Sequence, residues 1–268
     1  MSKKILFINQ ETAPYVPETT LAVSGRDIPY FMQEKGYEIR TFMPKWGCIN
    51  ERRGQLHEVI RLSGMNLIID DTDHPLIIKV ASITPLHVQV YFIDNTEYFT
   101  KRHETISADC AERDDNGERA VFFARGVLET VKRLHWTPDI IFCQGAMSAT
   151  VPLYVKTAYR EEPSFVSSKV VTALFPDTMS KPYEEHFKKC LEYRAVKAST
   201  LKKYAKTFDH TELQKMAVEY SDALIEGAPD IDAETKELVR QSGKPSLDYP
   251  GKDCGDAYDA FFRHVFGE

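Results

Sequence analysis

The stretch "KILFINQETAPYVPETTL" (residues 4–21) decides the fold class. Its opening "KILFI" is an unbroken apolar run, the pattern of a strand covered on both faces. A polar loop follows from Asn9 to Thr20. From there Leu21, Ile28, Phe31 and Met32 predict a helix closed by Gly36, the residue that takes the left-handed turn after a last helical residue. A strand, a loop and a helix in this order make the phosphate cradle of nucleotide-binding folds. Such a cradle uses glycines and a cation, and this loop contains neither.

Outward from this unit, "YEIRTFM" (37–43) alternates as a second strand. "LHEVIRL", "NLIID", "LIIKVASI" and "HVQVYFI" follow between 56 and 93, separated by short polar turns, and predict an inserted meander of hairpins. "DNGERAVFFARGVLETVKRLH" (115–135) predicts a long helix with Asp115 or Asn116 as its cap. "PDIIFC" (138–143), "KVVTALF" (169–175) and "DALIE" (222–226) are further strands. Residues 182–220 are helical in pattern, as are 230–241 and the stretch "DAYDAFFRHVF" (256–266). Strands alternating with helices predict a doubly wound, mostly parallel, Rossmann-like α/β sheet with an inserted β-meander. The expected organisation is one domain over 1–250 and a helix over 251–268 packed on it. Ala257, Ala260, Phe261 and Val265, with Phe262 and Phe266 close by, make that helix too apolar to stay in water.

Composition narrows the function classes. The 268 residues are 43% hydrophobic and 28% charged, with a net charge of −6. That balance argues against general affinity for nucleic acid or anionic membrane, since both depend on cationic surface. The five cysteines show no CxxC spacing, which suggests a reducing, cytoplasmic setting and no zinc site. Neither GxGxxG nor GxxxxGK[ST] occurs, nor does GxSxG. "IIDDTDHP" (68–75) offers oxygen ligands for a cation but fits a hairpin turn better. "DDNG" (114–117) lacks the glutamate that a calcium loop needs and fits a helix start. Cys143, at a strand end, has no identifiable partner base and fits an inert core thiol. No metal and no cofactor are expected, and no catalytic residue is assigned.

From "KILFINQETAPY" onward the chain resembles the N-terminal half of bacterial glycogen synthases and plant starch synthases. That family opens with a strand and then Ser-Glu-x-x-Pro-Phe-x-Lys-Thr-Gly-Gly-Leu. Glu11, Pro14, Tyr15 and Leu21 match it, as does Pro29 further on. "GYEIRTFMPKWGCINE", "VYFIDNTEYF", "DNGERAVFFARGVLE" and "TPDIIFCQGAMSATVPLYVK" are similar to later family segments. The resemblance runs over essentially the first 240 residues. It implies one half of the GT-B architecture, in which two Rossmann-like domains enclose the active site.

The departures lie where the family holds its nucleotide-sugar donor. Pro17 stands at the lysine position, and Thr19 and Thr20 stand at the two glycines. Proline has no N–H to donate, Glu18 adds like charge against a phosphate, and threonines add bulk. Gln144, followed by Gly145, Ala146 and Met147, replaces the segment carrying the histidine that contacts the transferred sugar. A further domain of roughly 150–200 residues, which would carry most donor contacts, is expected to be missing from the 268. The resemblance places Glu11, Tyr15, Tyr98, Asp115, Asn116 and Arg119, with Gln144, around the sugar side of the cleft. It thus implies a glucan- or sugar-binding domain without autonomous glucosyltransferase activity. Two alternatives stand beside it: a transferase completed by a second glycosyltransferase domain in trans, and a protein-interaction module with no ligand.

Overall fold

The computed structural model describes residues 2–84, 86–102, 113–179 and 181–268. Cys110 lies outside the described residues. The strands are β1 (Lys4–Asn9), β2 (Glu38–Pro44), β3 (His57–Glu58), β4 (Met65–Ile69), β5 (Thr72–Ile83), β6 (Val88–Asp94), β7 (Ile140–Gln144), β8 (Lys169–Leu174), β9 (Ala223–Glu226) and β10 (Ser246–Leu247). The helices are α1 (Thr20–Glu34), α2 (Asn116–Arg133), α3 (Val151–Lys156), α4 (Phe187–Leu191), α5 (Ala198–Leu201), α6 (His210–Tyr220), α7 (Ala233–Ser242) and α8 (Gly255–Phe266). The strands lie in the order β10-β9-β8-β7-β1-β2-β6-β5-β3, with β4 paired to β5.

Strand β1 is central and parallel to both β2 and β7. Its alternate side chains separate two cores. Ile5 and Phe7 join Phe142, Val171, Leu21 and Ile28 on one face. Leu6 and Ile8 join Phe42, Ile141, Phe122 and Val127 on the other. A strand sandwiched this way has no solvent face, which explains the continuous apolar run that the sequence displays. The meander over β4, β5 and β6 is antiparallel, yet β6 also pairs parallel with β2 and so belongs to the main sheet. Asp70 and Asp71 form its hairpin turn at positive φ, 43° and 66°, which bears out the turn reading of "IIDDTDHP".

Several local expectations change. Of "LHEVIRL" only His57 and Glu58 pair in a strand. Residues 182–220 form not one helical block but the short α4 and α5 and the longer α6, with irregular backbone held by the bridges Tyr183–Phe208 and Tyr193–Val196. The short helix α3 was not legible in the periodicity. Asp115 occupies the cap position of α2 but makes no capping bond; its carboxylate pairs with Arg102 instead. The orphan N–H groups of Gly117 and Glu118 donate to the Glu184 carboxylate at 2.8 and 2.7 Å. A carboxylate serves here as well as a local cap, because it satisfies two donors and complements the helix dipole.

Helix α8 lies against α1 and the first core. Phe262 is fully buried, with its ring centre 6.1 Å from that of Phe142. The Tyr37 hydroxyl donates to Asp259 at 2.6 Å, and Lys35 pairs with Asp256. Among the described residues no helix is long and apolar enough to cross a membrane.

Candidate functional site

The strand order reverses direction between β1 and β7: the chain steps from β1 toward β2 on one side and from β7 toward β8 on the other. Open α/β sheets bind ligands outside the carboxyl ends of the strands at such a point. A cavity of about 310 Å³ lies there, between the loop after β1, the turn after β7 and the amino end of α6. Gln10, Glu11, Thr19 and Thr20 line one wall, Gly145 and Ala146 the floor, and Phe175, His210, Gln214 and Asp230 the far side. No lysine or arginine is among the lining residues.

The loop after β1 is tied down at several points. Glu11, only 5% exposed, accepts a 2.5 Å hydrogen bond from the Thr19 hydroxyl. Thr19 in turn accepts the Ala22 N–H at 3.0 Å and so caps α1. The anion-attracting end of α1 therefore already has a threonine cap and a carboxylate beside it. Asn9 Nδ2 donates to the Gly25 carbonyl at 3.0 Å, which draws α1 onto the loop. A Cβ on Gly25 would come within 2.2 Å of the Glu11 carbonyl and 2.9 Å of Gln144 Nε2. Gly25→Ala is expected to push α1 off the loop and cost about 1–3 kcal/mol or more, measured by chemical unfolding. A loss below about 0.5 kcal/mol would show that the helix does not need that approach.

The turn after β7 uses Gly145 at φ 87°, where a Cβ would stand 2.5 Å from Gln10 Cβ. Gln144 is fully buried; its Oε1 accepts from the Ser24 hydroxyl at 3.1 Å and its Nε2 donates to the Leu21 carbonyl at 3.4 Å. Gln144 thus fastens α1 to β7 and does not line the cavity. Gln10 completes the joint: its Oε1 accepts the Met147 N–H at 3.1 Å, and its carbonyl accepts the Trp46 indole N–H at 2.8 Å.

The other expected residues separate. Asn116 borders a small recess with Gln10, Ala146 and Thr178, which continues the main cavity. Tyr15 lines a different recess of about 310 Å³, beside Cys48, Asn50 and Arg53, and meets Phe92 edge-on at 4.8 Å. Burial pushes its hydroxyl up to about 12. Tyr98 is 3% exposed, its hydroxyl donating to Glu118 at 2.7 Å while its ring stacks on His74, so it is a core residue and not a cleft wall. Arg119 is fully buried, with its guanidinium 5.2 Å from the Trp46 ring and 5.1 Å from that of Phe99. Asp115 is engaged by Arg102. Of the seven, then, Glu11 meets the main cavity and Asn116 its extension. Sequence reading missed His210, whose Nδ1 is 3.6 Å from Asp177 Oδ1, and Phe175; the first opens α6 and the second follows β8, and at such element ends periodicity carries little signal. Cys143 is fully buried, which drives its thiol well above the usual range and removes it as a nucleophile.

The arrangement defines a doubly wound α/β domain with its crevice at the strand-order reversal, equivalent to one half of a GT-B fold. Residues 4–242 match the starch synthase catalytic domain family, and the chain belongs to that family. It is 37% identical over 193 residues to the glycogen synthase of Chlorobaculum tepidum, an alignment covering 68% of this chain and 39% of that protein. The glycogen synthase of Chlorobium luteolum is 36% identical over 173 residues, covering 64% and 35%. The catalytic domain of starch synthase IV from Arabidopsis thaliana, solved bound to ADP and acarbose, superposes with a TM-score of 0.75 at 16% identity, over 93% of this chain and 51% of that one. The part of the chain that matches thus covers only 39% and 35% of these glycogen synthases.

Proposed function

We propose that this domain binds a glucan or a small sugar in the crevice beyond β1 and β7 and does not by itself transfer glucose from a nucleotide donor. The observation that carries this reading is the wall of the crevice: it holds Glu11 and Asp230 but no lysine or arginine. A nucleoside diphosphate needs cations or free backbone N–H groups, and both its charges would meet like charge here. A neutral sugar needs an apolar or aromatic face and hydrogen-bonding groups. Phe175 offers the former; Gln10, Gln214 and the two carboxylates offer the latter. The proposed unit is the domain over 1–250 with the helix over 251–268 docked on it. Among the described residues the buried free thiols Cys143, Cys190 and Cys254 support a reducing, cytoplasmic setting.

A second reading has its own support. The relatives extend far beyond the matched region, and a second glycosyltransferase domain would supply donor contacts that this crevice does not. The test incubates the purified chain with glycogen and radiolabelled ADP-glucose or UDP-glucose, and separately records melting with maltose and with ADP-glucose. Expected are no label in glucan above a blank without protein, a rise in melting temperature with maltose, and none with ADP-glucose. Label incorporated by the chain alone overturns the proposal, as does an unchanged melting temperature with maltose; label that appears only after a second domain is added favours the second reading.

A further inference from the structure

We propose that Glu118, Glu184, His186 and Cys190 form a zinc-type metal site that clamps α4 to the amino end of α2. One ligand atom from each of the four lies within 4.8 Å of every other. His186 Nε2 and Glu118 Oε1 are already 2.8 Å apart. Zinc bonds of about 2.0–2.3 Å place tetrahedral ligands roughly 3.3–3.8 Å from one another, so side-chain shifts of about 1 Å close the set.

Two independent features point to a ligand. The first is the thiol. Cys190 is 1% exposed, makes no hydrogen bond to another side chain among the described residues, and faces two carboxylates and an imidazole. The second is the spacing. His186 immediately precedes α4 and Cys190 lies four residues on, one helical turn, so both present to the same partner. The mixed oxygen, nitrogen and sulfur set suits zinc, whereas calcium and magnesium take oxygen ligands and do not recruit a thiol. The outer contacts are also those of a metal site: Tyr98 holds Glu118 Oε2 at 2.7 Å, and two backbone N–H groups orient Glu184. His186, the exposed member, marks the side from which the ion enters.

On binding, the Cys190 S–H bond breaks, its proton passes to buffer, and a zinc–sulfur bond forms; neutral His186 donates through Nε2, giving up its contact with Glu118. Two carboxylates and a thiolate around a dication leave one net negative charge, which the amino end of α2 favours. Four protein ligands leave no open position, so the site is structural rather than catalytic.

The test uses the full chain stripped by a chelator, with cobalt(II) as the spectroscopic probe and zinc(II) as competitor. Expected is one cobalt per chain, with thiolate-to-cobalt charge-transfer absorption and tetrahedral d–d bands that zinc abolishes. Cys190→Ser should remove the charge-transfer absorption, and the exposed-site change His186→Gln should weaken zinc binding about tenfold or more. Zinc should raise the melting temperature of the parent chain and not of His186→Gln. Absence of these bands in the parent chain, or bands unchanged in both variants, overturns the site.

Discussion

Phe262→Ala is expected to destabilise the protein by about 3–5 kcal/mol, the usual cost of truncating a fully buried phenylalanine. Phe262 stands at the meeting point of α8 and the sheet, with Tyr258 5.8 Å and Phe142 6.1 Å away, ring centre to ring centre. A cavity there cannot be filled by small adjustments, because Phe142 is anchored in a strand paired on both sides. For a chain of this size the melting temperature should fall by roughly 10 °C. Phe266→Ala serves as the comparison. Its side chain is only partly buried, stacked on Tyr37 at 6.3 Å, so its loss should cost clearly less. Should Phe262→Ala melt within about 2 °C of the parent, under 1 kcal/mol, α8 is not part of the folded core in solution.

Asp94→Ala should be comparably severe, by a different mechanism. Asp94, fully buried at the end of β6, accepts the Thr100 hydroxyl at 2.8 Å and pairs with Lys79 at 2.9 Å. Lys79 also meets Glu51 at 2.6 Å, and Lys45, almost buried, meets Glu51 at 3.0 Å. The Glu51 carboxyl is raised by its partial burial but is held lower overall by its hydrogen bonds to Lys79 and Lys45. Removing Asp94 leaves two ammonium groups sharing one carboxylate in a poorly hydrated place. Breaking a buried pair from one side costs about 3–5 kcal/mol, most of it the desolvation of the charge left behind. The double variant Asp94→Ala with Lys79→Met should therefore recover part of the loss in urea unfolding. Strict additivity of the two single losses would show that the pair is not coupled.

The amino-acid sequence by itself determined the class of fold. "ILFI" (5–8) and "IIFC" (140–143) are apolar without interruption because both faces of their strands are covered, and that signal is local to each segment. It also determined that the loop after β1 contains no lysine, arginine or glycine, since residue identity needs no geometry. The apolar character of α8 was equally visible, although its partner was not. Only the tertiary structure decided which side chains meet. Glu184 caps α2 from a distant segment, Arg119 is enclosed by Trp46 and Phe99, and Tyr98 turns inward to Glu118. It also decided that Tyr15 and Glu11, four residues apart on one loop, serve different recesses. The physical reason is common to these cases. Periodicity records how often a position is buried, whereas hydrogen bonds and ion pairs are made between groups that the chain brings together only on folding.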